Sequence, residues 1–294
     1  MIYTEALKNN IFNLISSCAG ELGLECYVIG GFVRDYIISE STPKDIDILV
    51  IGNGIDFAKY ISRKIEKTPK VTVFKTYGTA MFKYNSMEIE FVGARKESYT
   101  LESRNPKVSI GSLNDDQNRR DFTINSMALS LNKHNFGSLL DPFNGLSDIE
   151  NKVIRTPLNP EITYNDDPLR MLRAIRFATK LNFKIDENSL KSIKSLSSRI
   201  KIITNERIVV ELNKILLSDK PSIGFILLEK CGLLKYILPE ITSLKGIDEI
   251  EGQTHKDNFY HTLEVLDNIC HHTNNLWLRW AALLHDIGKA PTKK

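Results

Sequence analysis

The chain has 294 residues, 42% hydrophobic and 26% charged, a balance that supports one or two packed domains and excludes collagen-like, low-complexity and wholly disordered chains. Its 39 basic and 36 acidic side chains leave a formal charge of +3, so a nucleic-acid partner would have to be met by a local basic patch. No apolar run approaches the roughly 18 residues of a membrane span. Met1–Asn10 has no basic-then-apolar leader pattern, and Cys18, Cys26, Cys231 and Cys270 form no Cys-x-x-Cys pair; the expectation is a cytoplasmic protein without membrane, zinc ribbon or disulfide framework.

Residues 4–18 place Leu7, Ile11, Leu14, Ile15 and Cys18 at helical spacing, which predicts a helix ahead of a buried strand at Cys26–Ile29. Ile46–Ile51 reads as a second buried strand, and Val71–Phe74, Thr79–Tyr84 and Glu88–Val92 alternate as sheet strands. The polar stretch Ala94–Asp116 reads as a loop. From Asp166 onward, 3.6-residue periodicity predicts helices over 166–181, 186–197, 204–217, 221–230, 259–272 and 276–288. Mixed strands and helices followed by helices alone predict an α+β head and a helical body, with the change near 142–165.

Chemistry-bearing residues cluster in five places. Gly30-Gly31 follows a strand and opens a helix, so its backbone N–H groups can approach an anion closely, although such a pair also serves as an ordinary turn. Asp45 and Asp47 lie two residues apart on a strand and so share one face. Paired carboxylates among Ile46, Ile48, Leu49 and Val50 are relieved by a hard divalent cation such as Mg²⁺. On pattern alone, Glu88 and Glu90 read as solvent-facing. Arg119-Arg120-Asp121, followed by Asn125, is either a surface ion pair or a set for phosphate and ribose hydroxyls.

Asp166-Asp167-Pro168-Leu169-Arg170 is a helix-capping layout, and its helix continues through Arg173, Arg176 and Phe177. Asp167 and Arg170 also share a face at i and i+3. A carboxylate acceptor beside a guanidinium donor complements an amine beside an unprotonated ring nitrogen. Cytosine and adenine present that edge; uracil and guanine present a carbonyl and a ring N–H, leaving polar groups unpaired. Finally, His261 and the doublet His285-Asp286 are a candidate divalent-metal set on neighbouring helices, with His255, His271 and His272 nearby.

GGFVRD, DID, RRDFTIN, DPFNGL and DDPLRMLRAIRF resemble, in that order, the motifs of class II tRNA nucleotidyltransferases: the CCA-adding enzymes and related bacterial poly(A) polymerases. The resemblance runs from about residue 25 to 240 and extends to Glu206, Arg207 and Glu211 in TNERIVVELNKIL; the tail with His261, His285 and Asp286 resembles an HD phosphohydrolase domain. It implies a polymerase-beta-like head over 1–141, a helical neck and body over 142–240, and the start of an HD domain over 241–294. It also implies Asp45, Asp47 and Glu90 as catalytic Mg²⁺ ligands. Gly30, Gly31, Arg34, Arg120, Asp121, Asn125, Asp167, Arg170, Arg173 and Arg176 become nucleotide-binding candidates. Asp166 stands where the family commonly has Glu, and Gln117 where an apolar residue is common.

The implied activity is template-independent addition of C and A, from CTP and ATP, to the 3′ end of tRNA. Poly(A) or partial CCA addition, an RNA-binding protein with an inactive head, and an HD-type hydrolase are the competing readings. HD domains usually need a further Asp downstream, so the sequence is expected to be cut within that domain, which would leave a second divalent-metal site incomplete. The segment Lys191–Lys220 holds Lys191, Lys194, Arg199, Lys201, Arg207, Lys214 and Lys220 against Glu206, Glu211 and Asp219; it reads as an RNA-facing or merely solvated helical surface.

Overall fold

Asn9 opens the first helix by accepting from the Ile11 amide at 3.1 Å, and α1 (Asn10–Leu22) runs until Gly23, at φ 64°, ends it. The helical spacing over 4–18 thus resolves into a 3₁₀ turn, Thr4–Leu7, and a helix that extends past Cys18. The computed structural model describes residues 1–100, 103–246, 249–250, 253–254 and 257–289, so His255 lies outside the described residues. The chain divides into two units, residues 1–151 with 155–158 and residues 152–154 with 159–294.

In the first unit β1 (Cys26–Ile29), α2 (Gly31–Ser39), β2 (Asp45–Val50), α3 (Gly54–Lys64), β3 (Thr72–Phe74), β4 (Thr79–Tyr84) and β5 (Met87–Gly93) place the strands within a residue of expectation. After them come β6 (Arg95–Thr100), β7 (Ser103–Ile110), α4 (Leu113–Asn118), β8 (Ala128–Ser130), β9 (Leu139–Leu140) and α5 (Gly145–Glu150). One sheet orders its strands β3-β4-β5-β2-β1-β8-β9, with β2 and β5 parallel. Strand alternation sorts its two faces. Val28, Ile46, Ile48, Ile89 and Phe91 join Ile11, Phe12, Ile15, Phe32 and Phe57 from α1, α2 and α3 in the main core. Each such aromatic contributes about 1.5–3 kcal/mol on burial. The opposite face carries Ile29, Leu49 and Ala128, and the charged ends of β2 and β5 point the same way.

The loop expected over Ala94–Asp116 is instead a β-hairpin followed by a helix. β6 and β7 pair from Arg95↔Ile110 to Thr100↔Ser103 as a separate two-stranded sheet. The stretch is rich in charged and polar residues (Arg95, Lys96, Glu97, Arg104, Asn105, Lys107) and shows too little apolar alternation to be read as strands.

The second unit runs β10 (Val153–Ile154), α6 (Pro160–Asp166), α7 (Leu169–Leu181), β11 (Lys184–Ile185), α8 (Glu187–Leu196), α9 (Asn205–Leu216) and α10 (Pro221–Lys230). Two one-turn helices, α11 (Leu234–Ile237) and α12 (Pro239–Thr242), precede α13 (Asn258–Cys270) and α14 (Leu276–Leu284). Leu172 and Ile175 of α7, Leu212 and Ile215 of α9, and Phe225 of α10 are buried. Two expectations need correction. The helix predicted from 166 begins at Leu169, because a residue before proline is pushed to extended backbone and Asp167 sits at φ −139° and ψ 100°. The helix predicted to 288 ends at Leu284, so His285 and Asp286 stand in the turn after it. Among the described residues no helix is long and apolar enough to cross a membrane.

Candidate functional site

The site in the first unit starts at Gly30, whose φ of 73° and ψ of −126° suit only glycine. A Cβ there would lie 2.8 Å from Arg120 Nη1 and 3.8 Å from Asp47 Oδ2. The turn, a guanidinium and a strand carboxylate therefore converge on one point. Parallel pairing sets Asp47 beside Glu90 and Asp45 beside Glu88, which brings all four acids to one sheet face. Glu88 is drawn off by Lys83 at 2.6 Å, whereas Glu90 is half-buried. The Asp47 carboxyl is pushed above its usual range, chiefly by burial and further by Glu90, Asp45 and Asp116, while Arg120 opposes the shift. A partly desolvated acid facing other acids fits a hard divalent cation, with Asp45, Asp47 and Glu90 as donors.

Arg120 owes its position to a residue that sequence reasoning missed. Asp116 is fully buried and takes Arg120 Nε and Nη2 on Oδ2, both at 3.0 Å, and Arg119 Nη2 on Oδ1. Burial works against its ionisation, but the Arg120 and Arg119 charges outweigh that and hold the carboxyl below the usual range. The i, i+3 and i, i+4 spacing was its available signal; assigning the segment to a loop concealed it. Asp121 accepts from the Phe122 amide at 2.9 Å and from Asn125 Nδ2 at 3.0 Å. Asn125 Oδ1 in turn accepts from Arg34 Nη1 at 2.6 Å, and Asp35 holds the same guanidinium at 2.7 Å. Gln117 bonds the Ser126 carbonyl at 2.8 Å, which accounts for a polar residue at a buried position.

In the second unit Asp167 does cap its helix: Oδ1 accepts from the Leu169 amide at 3.1 Å, and Oδ2 faces Arg207 Nη2 at 3.5 Å. Arg170 Nη1 donates to the Thr163 carbonyl at 3.4 Å. Arg173 and Arg176 lie over the Phe177 ring at 5.6 and 4.1 Å, and Arg176 Nε is 2.7 Å from Oε2 of the buried Glu211. Of the basic run, Arg199 bonds the Asn165 carbonyl and Lys214 pairs with Glu211.

His261, His285 and Asp286 each bring one ligand atom to within 4.8 Å of the others, a spacing to which Asp45, Asp47 and Glu90 are not drawn together. His285 Nδ1 is 2.8 Å from the Ala282 carbonyl; donation there leaves Nε2 as the lone-pair atom, the arrangement by which a backbone carbonyl orients a metal-binding histidine. Asp286 accepts from Lys289 at 2.6 Å.

The family descriptions "Poly A polymerase head domain", "Probable RNA and SrmB-binding site of polymerase A" and "HD domain" match residues 26–155, 182–245 and 258–294. A solved structure of a tRNA nucleotidyltransferase complexed with a primer tRNA and an incoming ATP analog superposes with a TM-score of 0.74 at 30% identity, covering 92% of this chain and 75% of that one. The chain belongs to the tRNA nucleotidyltransferase family. Within that family it is 43% identical over 171 residues to an A-adding tRNA nucleotidyltransferase of Aquifex aeolicus, covering 58% of this chain and 20% of the relative. It is 31% identical over 288 residues to a multifunctional CCA protein of Pseudomonas fluorescens, covering 92% of this chain and 64% of the relative. The chain thus spans from a fifth to just under two thirds of these tRNA nucleotidyltransferase-family relatives. Family membership gives the first unit its polymerase-beta-like class.

Proposed function

We propose that this chain carries the nucleotide-adding machinery of a cytoplasmic enzyme that extends the 3′ end of tRNA with C and A, drawing on CTP and ATP without a nucleic-acid template. The observation that carries the reading is the convergence of Asp47 and Arg120 on the Gly30 turn, with Glu90 in register beside Asp47 on the neighbouring strand. Asp45, Asp47 and Glu90 are the residues to hold Mg²⁺, which when bound supplies Lewis-acid activation of the RNA hydroxyl and neutralises the departing pyrophosphate.

The chain's own groups bind and orient. The Gly30-Gly31 backbone and the Arg120 fork receive the triphosphate, and Asn125, with Asp121 behind it, meets the ribose hydroxyls. Buried Arg34 ties the Gly30 helix to Asn125, so phosphate and sugar contacts move together. Asp167 and Arg170 read the amine and ring nitrogen of the base, with Arg173 and Arg176 along the same helix. In-line attack of the 3′-oxygen on the α-phosphorus then forms one P–O bond as the bond to pyrophosphate breaks.

By this assignment residues 1–141 are the catalytic head, 142–240 the base-reading and RNA-binding helices, and 241–294 the HD portion, whose His261, His285 and Asp286 are candidate ligands for a second divalent metal. The 43% identity to an A-adding enzyme favours a second reading, in which only A is added. The test incubates the protein with Mg²⁺, tRNA lacking its 3′ end, and each nucleoside triphosphate in turn, with product length read on a gel. CTP- and ATP-dependent extension that is lost in Asp45→Ala and Asp47→Ala supports the proposal. Extension by A alone on tRNA ending in CC supports the second reading, and wild-type extension by either variant refutes the metal assignment.

A further inference from the structure

We propose that Arg207 is a positioning residue that sets base preference by holding the Asp167 carboxylate. This rests on the reading of Asp167 as the group that accepts the amine of cytosine or adenine. Asp167 stands in extended backbone between α6 and α7, at φ −139° and ψ 100°, and belongs to neither helix. Two contacts orient it: the Leu169 amide on Oδ1 and, from 40 residues further along the chain, Arg207 on Oδ2.

The capping bond alone leaves the carboxylate free to turn about that contact, and the guanidinium fixes the second oxygen. A carboxylate offers about four lone-pair sites, so these bonds leave acceptor capacity free. The Asp167 side chain keeps 21% of its surface open to receive a base edge. A few residues on, Glu211 of α9 grips Arg176 of α7 at 2.7 Å. α9 therefore presents Arg207 to Asp167 from a helix tied to α7 at a second point, and the two contacts form one unit.

Arg207 does not touch the nucleotide in this scheme, so its loss should degrade discrimination more than turnover. The experiment measures kcat/KM for CTP, ATP, UTP and GTP on tRNA lacking its 3′ end, in the wild type and in Arg207→Ala, Arg207→Lys, Asp167→Ala and Leu212→Ala. Arg207→Ala should lower the preference for CTP and ATP over UTP and GTP by about tenfold, the scale of one lost hydrogen bond to a charged group. Arg207→Lys should restore part of it. Adding Arg207→Ala to Asp167→Ala should change the preference no further.

Leu212, buried on the same helix, serves as the packing control: its variant should slow all four nucleotides alike. Should Arg207→Ala keep the wild-type preference while Asp167→Ala loses it, the role of Arg207 is refuted and the base-reading assignment survives. An unchanged preference in Asp167→Ala overturns both. A loss of preference in Leu212→Ala as large as that in Arg207→Ala would reduce Arg207 to helix packing and refute the proposal. If Arg207→Ala does not fold, the Lys variant decides: an unaltered preference refutes and a partial loss supports.

Discussion

Replacing Asp116 by Asn takes one negative charge from a position with no solvent exposure and leaves two guanidinium groups facing a neutral amide. Three contacts change: Arg120 Nε and Nη2, each at 3.0 Å, and Arg119 Nη2. Breaking a buried ion pair by removing one partner costs about 3–5 kcal/mol. The arginine side chains retain 17% and 18% of their surface and can shed part of the charge to water, which argues for the lower end, about 3 kcal/mol. In urea, with a slope of about 2–3 kcal/mol/M, the midpoint of the first unit should fall by about 1–1.5 M.

Both tryptophans, Trp277 and Trp280, lie in the second unit, so far-UV circular dichroism, with tyrosine fluorescence beside it, is the appropriate probe. The folded Asp116 carboxyl titrates below its ordinary value. Its contribution is therefore complete above about pH 4 and is lost as pH falls through the depressed value. The gap between wild type and variant should accordingly narrow below about pH 4. A variant within about 0.5 kcal/mol of wild type at pH 7, the range of neutral surface changes, would refute the view that Asp116 anchors the arginines.

Asp47 carries the opposite sign: its folded carboxyl titrates above the ordinary value, so stability is complete below about pH 4 and lost as pH rises through the raised value. With chelator present, Asp47→Asn should match or exceed wild type in thermal midpoint at pH 7. Nucleotide addition should fall at least about a hundredfold, the upper end of what even outer-shell partners of a metal cost; a less stable variant would contradict the charge argument. Gly30→Ala forces a side chain onto φ 73° and 2.8 Å from Arg120 Nη1. It should cost about 1–3 kcal/mol and raise KM for the nucleotide, and unchanged melting with unchanged KM would count against the convergence at that turn.

Arg279 is 2% exposed and donates to the carbonyls of Leu216, Ser218, Thr273 and Cys270. Arg279→Met should strip several acceptors at once and lower the unfolding free energy of the second unit by about 3 kcal/mol or more. Tryptophan fluorescence reports that change directly, and a shift under about 1 kcal/mol would show that water replaces the guanidinium.

Asp45 and Asp47 could be assigned to one face from the sequence because alternation along a strand is a local property of the backbone. The Gly30-Gly31 turn, the capping role of Asp167 and most helices from Leu169 onward were legible for the same reason, since a 3.6-residue period or a cap is written within a few neighbouring positions. Glu90 was not: local pattern reads it as solvent-facing, only the family resemblance singled it out, and it is the parallel pairing of β2 with β5 that sets it beside Asp47, a register decided by the whole sheet.

The Asp116 anchor was within local reach but was hidden by reading a hairpin and helix as loop, where backbone pairing without apolar alternation leaves no periodic mark. Arg207 meeting Asp167, Glu211 meeting Arg176 and His261 meeting His285 and Asp286 lie beyond any local pattern. Sequence alone determined which chemistry-bearing residue types the chain holds and which strand face or helix turn they sit on. Only tertiary structure decided which of them are partners, because ion pairs across helices depend on packing between segments that are distant in the chain.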